Sequence, residues 1–232
     1  ESLSPKTVRN IHGLISAVLK TYRPQFRLST VLPANTRPKL YIPTDEEISA
    51  LLAAAAETPL ELPILLAAFG PMRRGEISAL DSSDIDGNVV HVCRNMVKAN
   101  GHWIVKAPKT YAGDRYIPYP DFVAEKFYGI KGRVTQLHPD MITTNFGRLL
   151  KRSGLPHFRF HDLRHYSASI QHALGVPDSY IMQRGGWASD AVLKSVYRHA
   201  LRDESKTQND LINDHFDKLY NTKYNTNFQK PL

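Results

Sequence analysis

The chain opens on apolar residues at helical spacing. Between Ser4 and Tyr22 they form one stripe, made of Val8, Ile11, Leu14, Ile15, Val18 and Leu19. Ser4 suits the N-cap of such a helix, and Pro5 suits its first helical position. Prolines 24, 33, 38 and 43 then interrupt a segment without clear periodicity, which is typical of an extended linker. We therefore predict a helix, a linker and a domain boundary near Lys39.

Helical patterns fill most of the remaining chain, and one β-rich block interrupts them. Thr44 and Glu47 form a capping-box pattern for a helix ending near Ala56. Residues 89–99, 102–109 and 115–119 are β-rich, and Asn100-Gly101 is a hairpin turn signal, so we predict a three-stranded antiparallel sheet. Further helices are predicted at 60–69, 73–80, 122–128, 141–153, 161–174, 178–183, 190–199 and 206–220. The predicted fold is mainly α with a small three-stranded antiparallel β-sheet.

Composition limits the class of protein. A chain of 232 residues with 42% hydrophobic and 22% charged residues can bury a substantial core. The single cysteine, Cys93, excludes an intramolecular disulfide and a thiolate-rich metal site. No apolar run reaches the roughly 18 to 20 residues of a membrane helix, and no signal-peptide pattern is present. We expect a cytoplasmic protein, and the absence of an initiator methionine at Glu1 suggests a truncated chain.

Charge is distributed unevenly along the chain, whose formal net charge is +8. Residues 1–40 carry seven basic and one acidic residue, residues 41–100 four and nine, and residues 101–232 nineteen and twelve. Basic flanks of this kind suit an anionic polymer as partner, although a solvated surface would look the same.

Five short motifs follow one another in a fixed order. They are Arg73-Arg-Gly-Glu76, Lys109-Thr110, His161-Asp-Leu-Arg-His165, Gly186-Trp187 and Tyr197. In this order they resemble the tyrosine recombinase (phage integrase) family, over about residues 43–199. The motifs Gly70-Pro-Met-Arg-Arg-Gly-Glu76 and Phe160-His-Asp-Leu-Arg-His165 resemble those of integrases from prophages and conjugative transposons.

The resemblance implies a tyrosine recombinase catalytic domain, which cuts and rejoins double-stranded DNA through a 3′-phosphotyrosyl intermediate without a metal or cofactor. It implies a homotetramer on DNA, with a monomer as the alternative in free solution, and association with the nucleoid when DNA is bound. Integration and excision of a mobile element, with a directionality factor as a further partner, is the expected role. Chromosome-dimer resolution is the nearest alternative, and the DNA site and host stay open.

Two arginines are the expected phosphate clamps. A guanidinium stays charged and binds phosphate oxygens as a bidentate fork, which suits a transition state with extra negative charge. The family spacing Arg-x-x-Glu selects Arg73 over Arg74, with Glu76 on the same helical face to orient it. Arg164 is the second clamp.

Three aromatic side chains are expected to support the clamps. His161 stands three residues before Arg164, so both project from one helical face, and the family role of His161 is to donate hydrogen bonds or move protons. For His165, a catalytic role and a buried structural role stay equally open. Trp187 occupies a position where many family members carry histidine, and its indole offers one N–H donor to a phosphate.

The nucleophile and the general acid complete the expected set. By resemblance Tyr197 attacks the phosphate, and nearby cations stabilise its phenolate because a free phenol has a pKa of about 10. Lys109, in the turn before the third strand, would protonate the leaving 5′ oxygen. Lys106 is its nearby rival.

The same resemblance divides the chain into three parts. Residues 1–38 correspond to the last helix of a truncated core-binding domain plus linker, residues 39–204 to the catalytic domain, and residues 205–232 to a C-terminal helix and tail. The first helix could instead dock on the main domain, and the tail is either intersubunit or part of its own core. An arm-binding domain before residue 1 stays open.

Two functions of other classes compete. His161 and His165, with Asp162 between them, are close to the His-Glu-x-x-His zinc motif, and His157 adds a third imidazole. The positive charge of Arg164 opposes a zinc ion there. The other alternative is a recombinase-like protein that binds DNA without cutting it.

Overall fold

A computed structural model of the chain describes residues 3–34, 40–108 and 111–189. The chain divides into two compact units, residues 1–40 and 41–232. In the first unit, helix α1 spans Pro5–Tyr22, and the Ser4 side chain caps it by accepting a hydrogen bond from the Thr7 amide. The predicted helix is therefore confirmed. None of its residues is buried, and its identity as part of a core-binding domain stays a prediction.

The second unit is built mainly from helices. They are α2 (Asp45–Ala55), α3 (Glu61–Phe69), α4 (Arg74–Ala79), α5 (Asp121–Ala124), α6 (Pro139–Arg152), α7 (Asp162–Ala173) and α8 (Asp178–Gly185). Short 3₁₀ turns cover residues 82–84, 111–113 and 125–127, so the helix predicted at 122–128 is a single α-helical turn followed by a 3₁₀ turn. The helices predicted at 190–199 and 206–220 lie outside the described residues. None of the described helices combines the length and apolarity that crossing a membrane requires.

The predicted capping box at the start of α2 is confirmed. The Thr44 hydroxyl accepts from the Glu47 amide at 3.3 Å, and the Glu47 carboxylate accepts from the Thr44 amide at 2.9 Å. Two N–H groups that the helix itself cannot bond are satisfied in this way, which explains why α2 begins where it does.

Within the described ranges, five strands form two small sheets. They are β1 (Ile85–Asp86), β2 (Val89–Val92), β3 (Asn95–Ala99), β4 (His102–Lys106) and β5 (Arg115–Pro118). One antiparallel sheet has the order β1-β2-β5, and β3 pairs with β4 in a separate hairpin. A three-stranded antiparallel sheet is thus confirmed, but the predicted set of strands was wrong. The predicted middle strand, 102–109, pairs with β3 outside this sheet, and β1 is the third strand instead.

The error arises at residues 93 and 94, which both contact Asp84. The predicted single strand 89–99 breaks there because Arg94 forms an ion pair with Asp84 at 2.7 Å, and the Cys93 thiol donates to the same carboxylate. The chain then leaves the sheet as β3 and returns as β4 through Asn100 and Gly101, both at positive φ.

The core lies among α2, α3, α6, α7 and the inner face of the three-stranded sheet. Helix α3 is apolar on every side, and its residues from Pro63 to Ala68 are buried. The sheet contributes Val90, Val92 and Ile117. Packing of α3 against α7 and of α7 against α8 fixes the helix ends at which the motif residues stand.

Candidate active site

A cleft of about 680 Å³ brings several motif residues together. Its walls come from the start of α4, the β3-β4 hairpin, the start of α6 and the start of α7. The charged and aromatic side chains in its lining are Arg73, Arg74, Lys98, Trp103, Asp140, Arg159, Phe160, His161 and Arg164. Both predicted clamps therefore share one cleft with His161.

Arg73 is held by Glu76 at the start of α4. Arg73 has extended backbone geometry and is the N-cap, so it precedes the helix rather than lying on its face as predicted. The Glu76 carboxylate accepts from the Arg73 backbone N–H at 2.8 Å through one oxygen and from its Nη1 at 2.7 Å through the other. Glu76 therefore orients Arg73 as expected, but as a capping residue, while Arg73 itself stays partly exposed.

Arg164 is the most deeply buried cation of the cleft. Its residue is only 1% exposed, and its Nη2 donates to the Gly185 carbonyl at 2.9 Å. Burial, followed by repulsion from Arg73, lowers the pKa of Arg164, while Glu76 opposes the shift. Nε and Nη1 are buried without a hydrogen-bond partner among the described residues. Because an unsatisfied buried cation is costly, this geometry suits an anion with two acceptor oxygens.

The C-terminal end of α8 gathers three arginines. Three consecutive backbone carbonyls each accept from a different guanidinium, Arg184 from Arg115 at 2.9 Å, Gly185 from Arg164 at 2.9 Å and Gly186 from Arg73 at 2.8 Å. The last carbonyls of a helix lack helical partners and carry partial negative charge. The end of α8 therefore serves as a common support for Arg73 and Arg164, the two predicted clamps.

Glycine is required at both positions of this turn. Gly186 has φ of +67°, and a Cβ there would lie 2.7 Å from the Ala112 carbonyl oxygen. A Cβ at Gly185 would lie 1.9 Å from the Trp187 ring. The double glycine thus permits both the turn and the close approach of the tryptophan.

Trp187 packs against the buried clamp. The guanidinium carbon of Arg164 lies 4.7 Å from the centre of the Trp187 ring, and Trp187 is 8% exposed. A cation over an indole face is attracted by the ring quadrupole. Trp187 supports Arg164 directly, and its predicted hydrogen bond to a phosphate stays a prediction.

His161 and His165 meet edge to face, with ring centres 5.0 Å apart. His161 is exposed at the rim, yet partial burial of its ring and the charge of Arg164 lower its pKa to about 4. Burial also lowers the pKa of His165 to about 4, against the opposing charge of Asp162. Both imidazoles are therefore neutral at pH 7. The Nδ1 of His165 is buried without a partner among the described residues.

The zinc alternative lacks a ligand set in the described part of the chain. No cluster of three or more histidine, cysteine, aspartate or glutamate side chains that could hold a metal ion occurs there. Asp162, the candidate general base of that alternative, is engaged by Arg159 at 2.7 Å. His157 is exposed ahead of α7.

The remaining candidates are either exposed or outside the described residues. Lys109 and Tyr197 are both outside them. Arg74, the rival of Arg73, is exposed and donates to the Thr143 hydroxyl. Lys106 is exposed at the end of β4.

Sequence analysis missed Arg115, which is 5% exposed and contacts Glu76. A signal existed in the alternation of β5, where Arg115 and Ile117 occupy the two buried positions. A charged residue on the apolar face of a strand requires a buried partner.

Comparison with known proteins agrees with the motifs. The profile of the Phage integrase family matches residues 43–204. The putative prophage phiRv2 integrase of Mycobacterium tuberculosis is 30% identical over 196 residues, which cover 76% of this chain and 52% of that protein. The integrase of Salmonella phage P22 is 49% identical over 51 residues, 22% of this chain and 12% of that protein. The chain thus spans about half the length of the mycobacterial relative.

Solved structures of integrases share the fold. The Tn1549 transposon integrase, in complex with transposon right end DNA, superposes with a TM-score of 0.73 at 22% identity, covering 89% of this chain and 79% of that one. A lambda integrase dimer bound to a COC′ core site superposes with a TM-score of 0.59 at 18% identity, covering 83% and 73%. The fold is that of a tyrosine recombinase catalytic domain with a small antiparallel sheet, and the chain belongs to the phage integrase family.

Proposed function

We propose that this chain is the catalytic part of a site-specific DNA recombinase that integrates and excises a prophage or transposon-like element. One observation carries the proposal. Arg164 is buried in a cleft that it shares with Arg73 and His161, and its Nε and Nη1 have no hydrogen-bond partner in the described part of the chain. Such a cleft suits a phosphate group, and the family supplies the class of reaction.

In this proposal the scissile phosphate of double-stranded DNA sits between the two clamps. Arg164 offers Nε and Nη1 while its Nη2 stays on Gly185, and Arg73 approaches from the end of α4. Negative charge builds on the non-bridging oxygens during attack. Cations fixed beforehand by Glu76 and the end of α8 stabilise that charge without further rearrangement.

Tyr197 supplies the nucleophile. Its phenolic oxygen attacks phosphorus, a tyrosyl–phosphate bond forms at the 3′ side, and the bond from phosphorus to the 5′ oxygen breaks. The phenolic proton leaves the tyrosine, and His161, which is neutral at pH 7 because its pKa is about 4, has a ring nitrogen able to accept it. Lys109 donates a proton to the departing 5′ oxygen. The number of phosphate ester bonds is unchanged, so a second 5′ hydroxyl can reverse the step on a new partner.

The proposal extends to partners and assembly. The charge of +8 suits phosphate contacts along a duplex, and strand exchange between two duplexes requires four active sites, which a homotetramer supplies. A directionality factor would choose between integration and excision. The first unit would be the end of a core-binding domain, and residues 205–232 would contact a neighbouring protomer.

Trapping on DNA tests the proposal. The full-length protein is incubated with a nicked duplex that carries its mapped cleavage site, so that the released end diffuses away and the covalent adduct accumulates. Wild type should form an adduct on Tyr197, identified by mass spectrometry, and Tyr197→Phe should form none while still binding the duplex. Tyr128→Phe is the matched control because Tyr128 is 83% exposed. An adduct that survives Tyr197→Phe would refute the nucleophile assignment.

A further inference from the structure

Arg115 is a buried cation away from the lining of the cleft. It is 5% exposed and stands on the inner face of β5 beside the apolar core. The described lining of the cleft includes Arg73 and Arg164 but not Arg115. A direct contact of Arg115 with the phosphate is therefore not what explains its burial.

The guanidinium of Arg115 donates hydrogen bonds to both carboxylate oxygens of Glu76. Its Nη2 donates to one oxygen of Glu76 at 2.9 Å, and its Nη1 donates to the other at 3.2 Å. The same two oxygens accept from Arg73, through its backbone N–H and its Nη1. Glu76 thus lies between two arginines, and each carboxylate oxygen is shared by both.

Backbone carbonyls on two sides hold Arg115 itself. Its Nε donates to the Arg184 carbonyl at 2.9 Å, and its Nη1 also donates to the Gly113 carbonyl at 3.2 Å. The fork that meets Glu76 is therefore fixed by the end of α8 and by the turn that leads into β5. In contrast, Arg73 is partly exposed, and its described hydrogen bonds go to the Gly186 carbonyl and to both oxygens of Glu76.

Charge on Glu76 depends on Arg115. Burial alone would raise the pKa of Glu76, but the hydrogen bonds and charge of Arg115, helped by the charges of Arg164 and Arg73, lower it. A carboxylate that is ionised and held in place can accept from Arg73 through both oxygens. A protonated or rotated carboxyl group would lose at least one of those bonds.

We propose that Arg115 is a positioning residue for DNA cleavage, which acts through Glu76 to hold Arg73 at the scissile phosphate. The inference rests on the proposed function. It predicts that substitution of Arg115 slows the chemical step and leaves the affinity for DNA unchanged. The reason is that Arg115 positions Arg73, which stabilises charge that develops only in the transition state. A merely structural ion pair would change stability without any specific link to Arg73.

A double-mutant cycle separates these two roles. Arg115→Lys keeps the charge but cannot bridge two carboxylate oxygens as a fork. Arg73→Lys keeps a cation but loses the bidentate fork, so we expect it to slow cleavage without abolishing it. The single variants and the double variant are compared in the full-length protein by single-turnover cleavage of the nicked duplex, with affinity for the duplex and thermal unfolding measured in parallel.

The expected result is strong coupling between the two sites. Arg115→Lys should slow cleavage by about 10- to 100-fold, since small misplacement of a catalytic group has effects of that order. The double variant should cleave about as fast as Arg73→Lys alone, because Arg115 can no longer position a guanidinium that has been replaced. Affinity for the duplex should stay that of wild type.

Arg133→Lys is the matched control. Arg133 is also partly buried and donates to a backbone carbonyl of α4, that of Ser78, at 3.1 Å. Its rate loss, if any, should multiply with that of Arg73→Lys, as expected for independent sites. If Arg115→Lys does not fold, Glu76→Gln enters the same cycle, because it keeps the shape of Glu76 and removes the ionised acceptor, and the same non-additivity is expected.

A neutral substrate gives a second readout. Replacing one non-bridging oxygen of the scissile phosphate by methyl removes a negative charge and reduces the need for a cationic clamp. The rate deficits of Arg115→Lys and Arg73→Lys should shrink together on this methylphosphonate duplex.

The inference is overturned if the losses from Arg115→Lys and Arg73→Lys multiply, or if Arg115→Lys cleaves at the wild-type rate while wild type is active. Wild-type protein that forms no adduct would refute the proposed function itself, and the positional role would fall with it.

Discussion

Arg164 and Trp187 form a stacked pair in which the guanidinium carbon lies 4.7 Å from the centre of the indole ring. The two residues are connected a second time, because Arg164 donates to the carbonyl of Gly185 just ahead of the tryptophan. Residues 185–187 therefore fix Arg164, the predicted buried clamp, by two different contacts.

Trp187→Ala should slow cleavage by about 30-fold, because a desolvated cation–π contact contributes about 2 kcal/mol. Trp187→Phe should recover most of the rate, since a phenyl ring retains a face for Arg164. Single-turnover cleavage with wild-type protein as reference measures both, and thermal unfolding separates loss of packing from loss of rate. If Trp187→Phe is as slow as Trp187→Ala, the indole N–H and not the ring face is what matters.

Loss of one preorganised hydrogen-bond donor slows an enzyme by about 100- to 1000-fold. Arg73→Ala and Arg164→Ala should each slow cleavage by more than this, because each removes a full positive charge. Arg74→Ala is the control. Arg74 lines the same cleft, but it is exposed and its guanidinium donates a hydrogen bond to the Thr143 hydroxyl. EDTA should leave the wild-type rate unchanged. Strong inhibition by the chelator would revive the zinc alternative at His161 and His165.

Stability should fall as the pH drops from about 6.5 toward 4, because His165 has a pKa of about 4 in the folded chain. The unfolded chain, with an ordinary pKa near 6.5, takes up a proton first, so acid favours unfolding by up to roughly 3 kcal/mol. Urea unfolding at pH 7 and pH 4.5 measures the difference. His165→Gln should weaken this dependence without abolishing it, because the pKa of His161 is also lowered to about 4. His157→Gln should leave the dependence unchanged, since His157 is exposed. An equal slope in all three proteins would contradict the assignment.

Deleting residues 205–232 should leave a folded domain that binds DNA but assembles poorly into a synaptic tetramer, if the tail contacts a neighbouring protomer as proposed. The sequence places Leu211, Ile212, Phe216 and Leu219 at helical spacing there. Native gel shifts with two duplexes and strand-exchange assays measure the effect. Unchanged strand exchange, or a domain that unfolds on deletion, would show that the tail does not act as an intersubunit contact.

Local patterns in the sequence were enough for several features. The N-cap at Ser4 and the capping box of Thr44 and Glu47 involve residues three positions apart, so the sequence alone specifies them. The Arg-x-x-Glu spacing likewise predicted that Glu76 orients Arg73, although not that Arg73 would be a cap. The order of the motifs pointed to the family that the profile match then showed.

Tertiary structure decided the rest, because those contacts join residues that are distant in the chain. Arg115 and Glu76 are 39 residues apart, and Arg73 and Gly186 are 113 apart. No periodicity encodes such pairs, since they exist only when β5, α4 and the end of α8 pack together. The break in the strand at Cys93 and Arg94 also comes from tertiary contacts. The hydrogen bond from Cys93 and the ion pair from Arg94 to Asp84 outweigh the strand propensity of residues 89–99. The sequence by itself thus determined the fold class and the chemical groups, while packing determined which carboxylate and which carbonyls hold each arginine in place.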